Sequence, residues 1–82
     1  MSNNFNELEA AKAFVQVVRS GSFAGAAKVR GENPSSVSRA VAHLEERLNA
    51  RLLNRTTRQV RLTEAGEVYL AFAKDMLDKQ RA

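Results

Sequence analysis

The stretch SFAGAAKVRGENPSSVSRAVAHLEERL, residues 22–48, decides the fold, because it contains the start and stop signals of two consecutive helices. Gly31 is the residue type that most often ends a helix. Asn33 is a good N-cap, and Pro34 suits the first helical position, where its missing N–H has no partner to lose. The pattern predicts helices over 22–30 and 34–48. Two helices joined by a short glycine-containing turn form a helix-turn-helix.

The helix predicted over 34–48, which we call the recognition helix, has two faces that differ in chemistry. One face is a narrow apolar stripe of Val37, Val41, Leu44 and Leu48, which we expect in the core. The opposite face consists of Ser35, Ser38, Arg39 and Ala42, with Ser36 and His43 at its edge. Short hydroxyl side chains let a helix lie close in the major groove, and an arginine there reaches a guanine edge or a phosphate.

A short hairpin is predicted directly after the recognition helix. Alternating apolar and β-branched residues flank a polar turn, over 52–55 and 60–62. A hairpin in this place is a wing, and an arginine on it can enter the minor groove or bind a phosphate. The residues at or beside its tip, which we expect to contact DNA, are Arg55, Thr56, Thr57 and Arg58.

A last helix is predicted over 63–80, and its apolar residues cover about 200° of its circumference, which is more than one face. One part can pack on the domain, and the surplus needs a partner, most simply a second copy of the chain. The candidate dimer contacts are Val68, Tyr69, Phe72, Ala73 and Met76. Plain core positions for the aromatic residues and the methionine are an equally good interpretation.

The composition excludes several classes of protein. The chain has 82 residues, no cysteine and one histidine, so disulfides and zinc–thiolate sites are absent and few ligands remain for another metal. A chain this short buries only roughly 60% of its unfolded surface, which leaves little room for a catalytic cavity. No stretch approaches the roughly 20 apolar residues of a membrane span, and no signal-like apolar core begins the chain. We expect a cytoplasmic, non-enzymatic protein without cofactors, metal or membrane contact.

The positive charge is concentrated in one part of the chain. Residues 28–61 contain eight lysines and arginines and three glutamates, a net charge of +5, whereas the rest of the chain carries −1. Such a concentration is typical of a surface that meets phosphates. A solvated basic face is the plainer interpretation, and acidic proteins or membranes also suit a basic surface. His43 has no second ligand or acid near it in the pattern, so we assign it no catalytic role.

Several linked motifs resemble one known family. They are FVQVV at 14–18 with GSF at 21–23, VSRAV at 37–41, LLNRTTR at 52–58 and LTEAG at 62–66. At this spacing they resemble the N-terminal DNA-binding domain of LysR-type transcriptional regulators, over essentially the whole chain. The resemblance implies a mainly helical fold: a winged helix-turn-helix of three helices and a two-stranded wing over 1–62, followed by a long linker helix over 63–82.

The resemblance also implies a function. Such domains bind interrupted inverted repeats in bacterial promoters as dimers that pair through the linker helix. The positions that would approach bases and phosphates are Pro34, Ser35, Ser36, Ser38 and Arg39, and those matching 55–58 form the wing. Family members continue into a larger domain that senses a small-molecule inducer. Nothing in these 82 residues can house it, so we expect the chain to be the DNA-binding part.

Two departures from the family pattern affect these expectations. The family usually has apolar residues where Arg30 and Glu32 stand, so we expect Val29 to supply part of the missing packing while the Arg30 head stays in water. The recognition helix of the family often begins with a glutamine, and here Pro34 takes its place. Because proline offers only apolar contact, for instance to a thymine methyl group, base preference at that position should differ.

Three other functions remain open on the sequence. A basic architectural protein would coat DNA without reading it, and would show salt dependence but no sequence preference. A winged-helix module that binds protein would not need its arginines for DNA. An enzyme is the weakest alternative, because the serines and the single histidine lack an oriented acid and a pocket.

Overall fold

A computed structural model describes residues 5–55 and 59–81, and the side chains of 5–55 and 59–79. Within these residues the chain forms four helices and a two-stranded antiparallel sheet. In chain order they are α1 (Glu7–Ser20), α2 (Phe23–Arg30), α3 (Pro34–Leu48), β1 (Leu53–Arg55), β2 (Val60–Leu62) and α4 (Glu64–Arg81). The predicted mainly helical, winged helix-turn-helix architecture is confirmed.

The helix ends lie where the local sequence signals place them. The Asn33 side chain accepts a hydrogen bond of 2.9 Å from the N–H of Ser36, and Pro34 occupies the first turn of α3. Gly21 and Gly31 end α1 and α2 in the left-handed conformation, with φ of 79° and 71°. A side chain in that conformation is strained, which explains glycine at both turns.

The core lies between α1, α3 and the start of the wing. Its largest fully buried side chains are Phe14, Val17, Val37, Val41, Leu44, Leu52 and Leu53. Leu53 pairs with Leu62 across the sheet, so the wing is anchored at its base by two apolar residues. The predicted apolar stripe of the recognition helix is buried except at its last member, Leu48, which is 37% exposed at the C-terminal end of α3.

The N-terminal half of α4 packs on this core. Tyr69 and Ala73 are buried there, and the Tyr69 ring meets the Phe14 ring edge-on with centroids 5.7 Å apart. The Tyr69 hydroxyl donates a 3.0 Å hydrogen bond to the Glu7 carboxylate of α1. Burial, together with this acceptor and its charge, holds the pKa of the Tyr69 phenol well above its ordinary value.

The expectations for the turn between α2 and α3 were wrong on two points. Val29 is 67% exposed and supplies no packing. The Arg30 head is not free in water, because its Nη2 lies 3.0 Å from a Glu32 carboxylate oxygen and 3.5 Å from one of Glu9. The two unusual residues therefore neutralise one another, and α1 contributes the second acid. This arrangement avoids the penalty of covering an unpaired charge.

Gly66 is the point of closest approach between α4 and the wing. A Cβ atom at this position would overlap the carbonyl oxygen of Leu52 and would lie 3.0 Å from a Leu62 methyl carbon. The same Leu52 carbonyl accepts a 3.0 Å hydrogen bond from the N–H of Thr63 and is therefore held in place. Only glycine fits without moving the backbone.

Gly66→Ala should lower the free energy of unfolding by roughly 1–3 kcal/mol, because the added methyl forces the backbone of Leu52 aside. Helix propensity alone predicts the opposite sign, a gain of about 1 kcal/mol. Urea denaturation of the two proteins measures the difference. The reverse exchange at the exposed neighbour, Ala65→Gly, is the control and should follow propensity. A Gly66→Ala protein more stable than the wild type would contradict the close approach.

Candidate nucleic-acid interface

The outer face of α3 projects the side chains that the sequence analysis assigned to DNA contact. Pro34, Ser35, Arg39, Ala42 and His43 are exposed. Ser36 and Ser38 are half-buried at the side of the helix. The face is free of acids over its first two turns, so its hydroxyl groups and the Arg39 guanidinium are unopposed by a carboxylate on the same surface.

The start of the wing is fixed to the recognition helix by one carboxylate. A Glu45 oxygen, Oε2, accepts hydrogen bonds from the backbone N–H of Leu52 at 2.8 Å and of Leu53 at 3.1 Å. The other oxygen, Oε1, lies 3.6 Å from Nη2 of Arg55. The Glu45 side chain is 13% exposed, so these contacts are shielded from water and are stronger than surface ones.

Arg55 lies between the wing and the helix-turn-helix. Besides Glu45, its guanidinium reaches the Ser38 hydroxyl at 3.4 Å and lies over the Phe23 ring, 4.8 Å from the centroid. These partners come from α2 and α3, so Arg55 is held beside the outer face of the recognition helix. About one third of its side chain is exposed, so the guanidinium is accessible from outside.

Phe23, the first residue of α2, packs beside the recognition helix. Its half-buried ring lies under the Arg55 guanidinium, next to residues of α3. The ring lines a shallow depression on the outer face of α3. This contact could not be predicted from local sequence patterns, because Phe23 and Arg55 come from different elements.

The other predicted site residues fall into two groups. Thr56, Thr57 and Arg58 lie outside the described residues. Among the candidate dimer contacts on α4, Val68 and Phe72 are 72% and 54% exposed. Tyr69 and Ala73 face the core of their own domain, and Met76 is partly buried against it. Only two of the five predicted dimer contacts on α4 are therefore fully accessible to a partner.

Across 5–55 and 59–81, no three histidine, aspartate or glutamate side chains approach closely enough to hold a metal ion. No helix in those residues is long and apolar enough to cross a membrane.

These elements define a winged helix-turn-helix domain with a basic recognition face. The family model described as "Bacterial regulatory helix-turn-helix protein, lysR family" matches residues 8–67. The chain belongs to this family, and it is a LysR-type helix-turn-helix DNA-binding domain.

Curated relatives and solved structures agree with this assignment. The chain is 49% identical over 82 residues, all of its length, to the HTH-type transcriptional regulator CrgA of Neisseria meningitidis serogroup C, covering 26% of that protein. It is 45% identical over 78 residues, 95% of its length, to the probable HTH-type transcriptional regulator LtrA of Klebsiella pneumoniae, covering 25% of it. The chain thus spans about a quarter of the length of these relatives.

The fold matches crystal structures of domains bound to DNA. The DNA-binding domain of BenM in complex with catB site 1 DNA superposes with a TM-score of 0.88 at 33% identity, over 93% of this chain and 82% of that one. The CbnR DNA-binding domain–DNA complex gives a TM-score of 0.88 at 32% identity, over 92% of this chain and 86% of that one.

Glu45 is the residue that sequence reasoning missed. Its role depends on backbone N–H groups seven and eight residues further along the chain. The one available signal was an acid in the C-terminal half of a helix, where the helix dipole disfavours it.

Glu45→Gln should release the wing from α3. The amide retains one acceptor but loses the charge that strengthens both hydrogen bonds, so we expect a loss of about 1–3 kcal/mol in the free energy of unfolding. Hydrogen exchange of the Leu52 and Leu53 amides should accelerate more than that of α1. Glu46→Gln removes the same charge at the exposed neighbour and is the control. Equal exchange rates of the Leu52 and Leu53 amides in the Glu45 and Glu46 variants would contradict this role of Glu45.

Proposed function

We propose that the chain is the sequence-specific, double-stranded DNA-binding part of a bacterial transcriptional regulator, and not an enzyme. In this proposal α3 enters the major groove, and the wing lies against the minor groove or the backbone. The observation that supports it best is the outer face of α3, which has no acid in its first two turns, with Arg39 exposed on it and Arg55 held beside it by Glu45. The site residues are Pro34, Ser35, Ser36, Ser38, Arg39, Ala42 and His43 on α3, and Arg55, Thr56, Thr57 and Arg58 on the wing.

The contacts divide by chemistry. Arg39 and the hydroxyl groups of Ser35 and Ser38 donate hydrogen bonds to base edges or phosphates. The backbone N–H groups at the start of α3 add a phosphate contact through the helix dipole. The DNA complexes of the BenM and CbnR domains support DNA binding as the function of this fold. In this proposal the protein acts in the cytoplasm, without a cofactor.

Selection from a random duplex library at near-physiological salt tests the proposal, with the bound fraction sequenced. We expect enrichment of an inverted repeat. Arg39→Ala should then weaken binding of the enriched duplex by about tenfold or more, since a good arginine–base contact contributes about 1–3 kcal/mol. Arg19→Ala on α1 removes the same charge away from the proposed interface and is the matched control.

The outcomes separate the alternatives. Retention of DNA without enrichment, with a steep salt dependence, would favour the architectural function. The same loss of affinity in the Arg19 and Arg39 variants would show that only net charge matters. No retention at any salt concentration would contradict DNA binding and favour a protein partner.

The second part of the proposal is a homodimer through the linker helix over 63–82. Val68 and Phe72 lie one turn apart on α4 and are both exposed, although both are large and apolar. A twofold contact between two copies would cover them and would match two half-sites on DNA. The inducer of such a regulator would bind a domain outside this chain.

Phe72→Ala should weaken the dimer by about tenfold, because truncating a central interface aromatic commonly costs more than 1 kcal/mol. Sedimentation velocity over a range of protein concentrations measures the dissociation constant. Val29→Ala, which truncates an equally exposed apolar side chain on α2, is the control and should leave the constant unchanged. Identical sedimentation of the wild type and the Phe72 variant would contradict the α4 interface.

A further inference from the structure

A shallow apolar depression interrupts the polar outer face of α3. Phe23, at the first position of α2, lies beside Pro34 and Ala42 of α3 in its lining. Its remaining lining residues are polar and form a rim: Ser35, Ser38 and Arg39. The apolar part of the depression thus lies among the groups that donate hydrogen bonds.

The floor of the depression is held in a fixed position. The Phe23 ring packs against the core on one side and has the Arg55 guanidinium over its face at 4.8 Å. Pro34 is rigid by its ring, and Ala42 has no side-chain torsion to adjust. A rigid apolar surface binds a small apolar group without a loss of side-chain entropy.

The chemistry of the major groove limits what this surface can receive. Among the base edges exposed there, the C5-methyl group of thymine is the apolar feature, and all others are donors or acceptors. A phosphate would be poorly held on the apolar floor, which offers no side-chain donor, and would instead bind the serine and arginine rim. A methyl group on this floor leaves the rim free for neighbouring bases and phosphates.

We propose that the depression is a thymine-methyl site, and that Phe23, Pro34 and Ala42 determine sequence specificity at one base pair of each half-site. The inference rests on the proposed DNA-binding function and deepens it, because it names the base. Phe23 was not among the residues predicted to contact DNA, because it lies on α2 and not on the recognition helix.

The test uses the duplex recovered by library selection. Each thymine is replaced in turn by deoxyuridine, which keeps every hydrogen-bonding group and removes only the methyl. We expect one position per half-site at which the dissociation constant rises about fourfold, the equivalent of roughly 0.8 kcal/mol for one buried methyl. The other replacements should change it little.

Variants of the floor residues test whether the methyl group of that thymine contacts the depression. In Pro34→Ala and in Phe23→Ala, the same thymine-to-uracil replacement should change the dissociation constant less than twofold, as expected when two partners of one contact are removed in turn. Val29→Ala, on α2 but outside the depression, should keep the fourfold effect. Pro34 is exposed at the start of α3, so its variant preserves the core and decides the matter if Phe23→Ala does not fold.

The outcomes separate this inference from the function on which it rests. If a duplex is recovered and uracil is tolerated at every position, the thymine-methyl site is wrong and DNA binding stands. A recovered site without thymine has the same meaning, as does a methyl effect that persists in both floor variants. If no duplex is recovered, the proposed function itself fails.

Discussion

The wing and the recognition helix form one surface because of the Glu45 carboxylate. One of its oxygens binds the two backbone N–H groups that begin the wing, and the other pairs with Arg55. A strand of three residues paired with one other strand has little stability of its own. Its position relative to α3 therefore depends on this carboxylate and on the buried side chains of Leu52 and Leu53.

The same carboxylate influences the chemistry of the interface through Arg55. Glu45 and Ser38 hold the guanidinium where it covers the Phe23 ring, which in turn lines the depression on α3. An arginine that was free in solution would lose side-chain entropy on meeting DNA. The Arg55 side chain has already lost much of that entropy in the folded protein, so the proposed interface is ordered before DNA binds. The stability of the wing and the shape of the binding surface thus depend on one network.

The parts of the structure that the sequence predicted are those set by nearby residues. Helix ends were correct at Gly31, Asn33 and Pro34, because a cap acts on backbone groups within one turn. Contacts between distant elements were not predictable. Arg30 finds Glu9 on α1, and Tyr69 reaches Glu7 across 62 residues. The helical periodicity of apolar residues also failed to distinguish the inward face of α4 from its exposed side, since both carry aromatic side chains.

In the proposed interface, affinity and specificity depend on different groups. The arginines act through charge, so the affinity that they contribute falls as salt concentration rises. The apolar floor acts through a methyl group, and its contribution is independent of counterion release. Because Pro34 stands where related domains often carry a glutamine, the first position of α3 has no side-chain donor or acceptor. Discrimination at that base must therefore come from shape and apolar contact, to which the half-buried ring of Phe23 contributes.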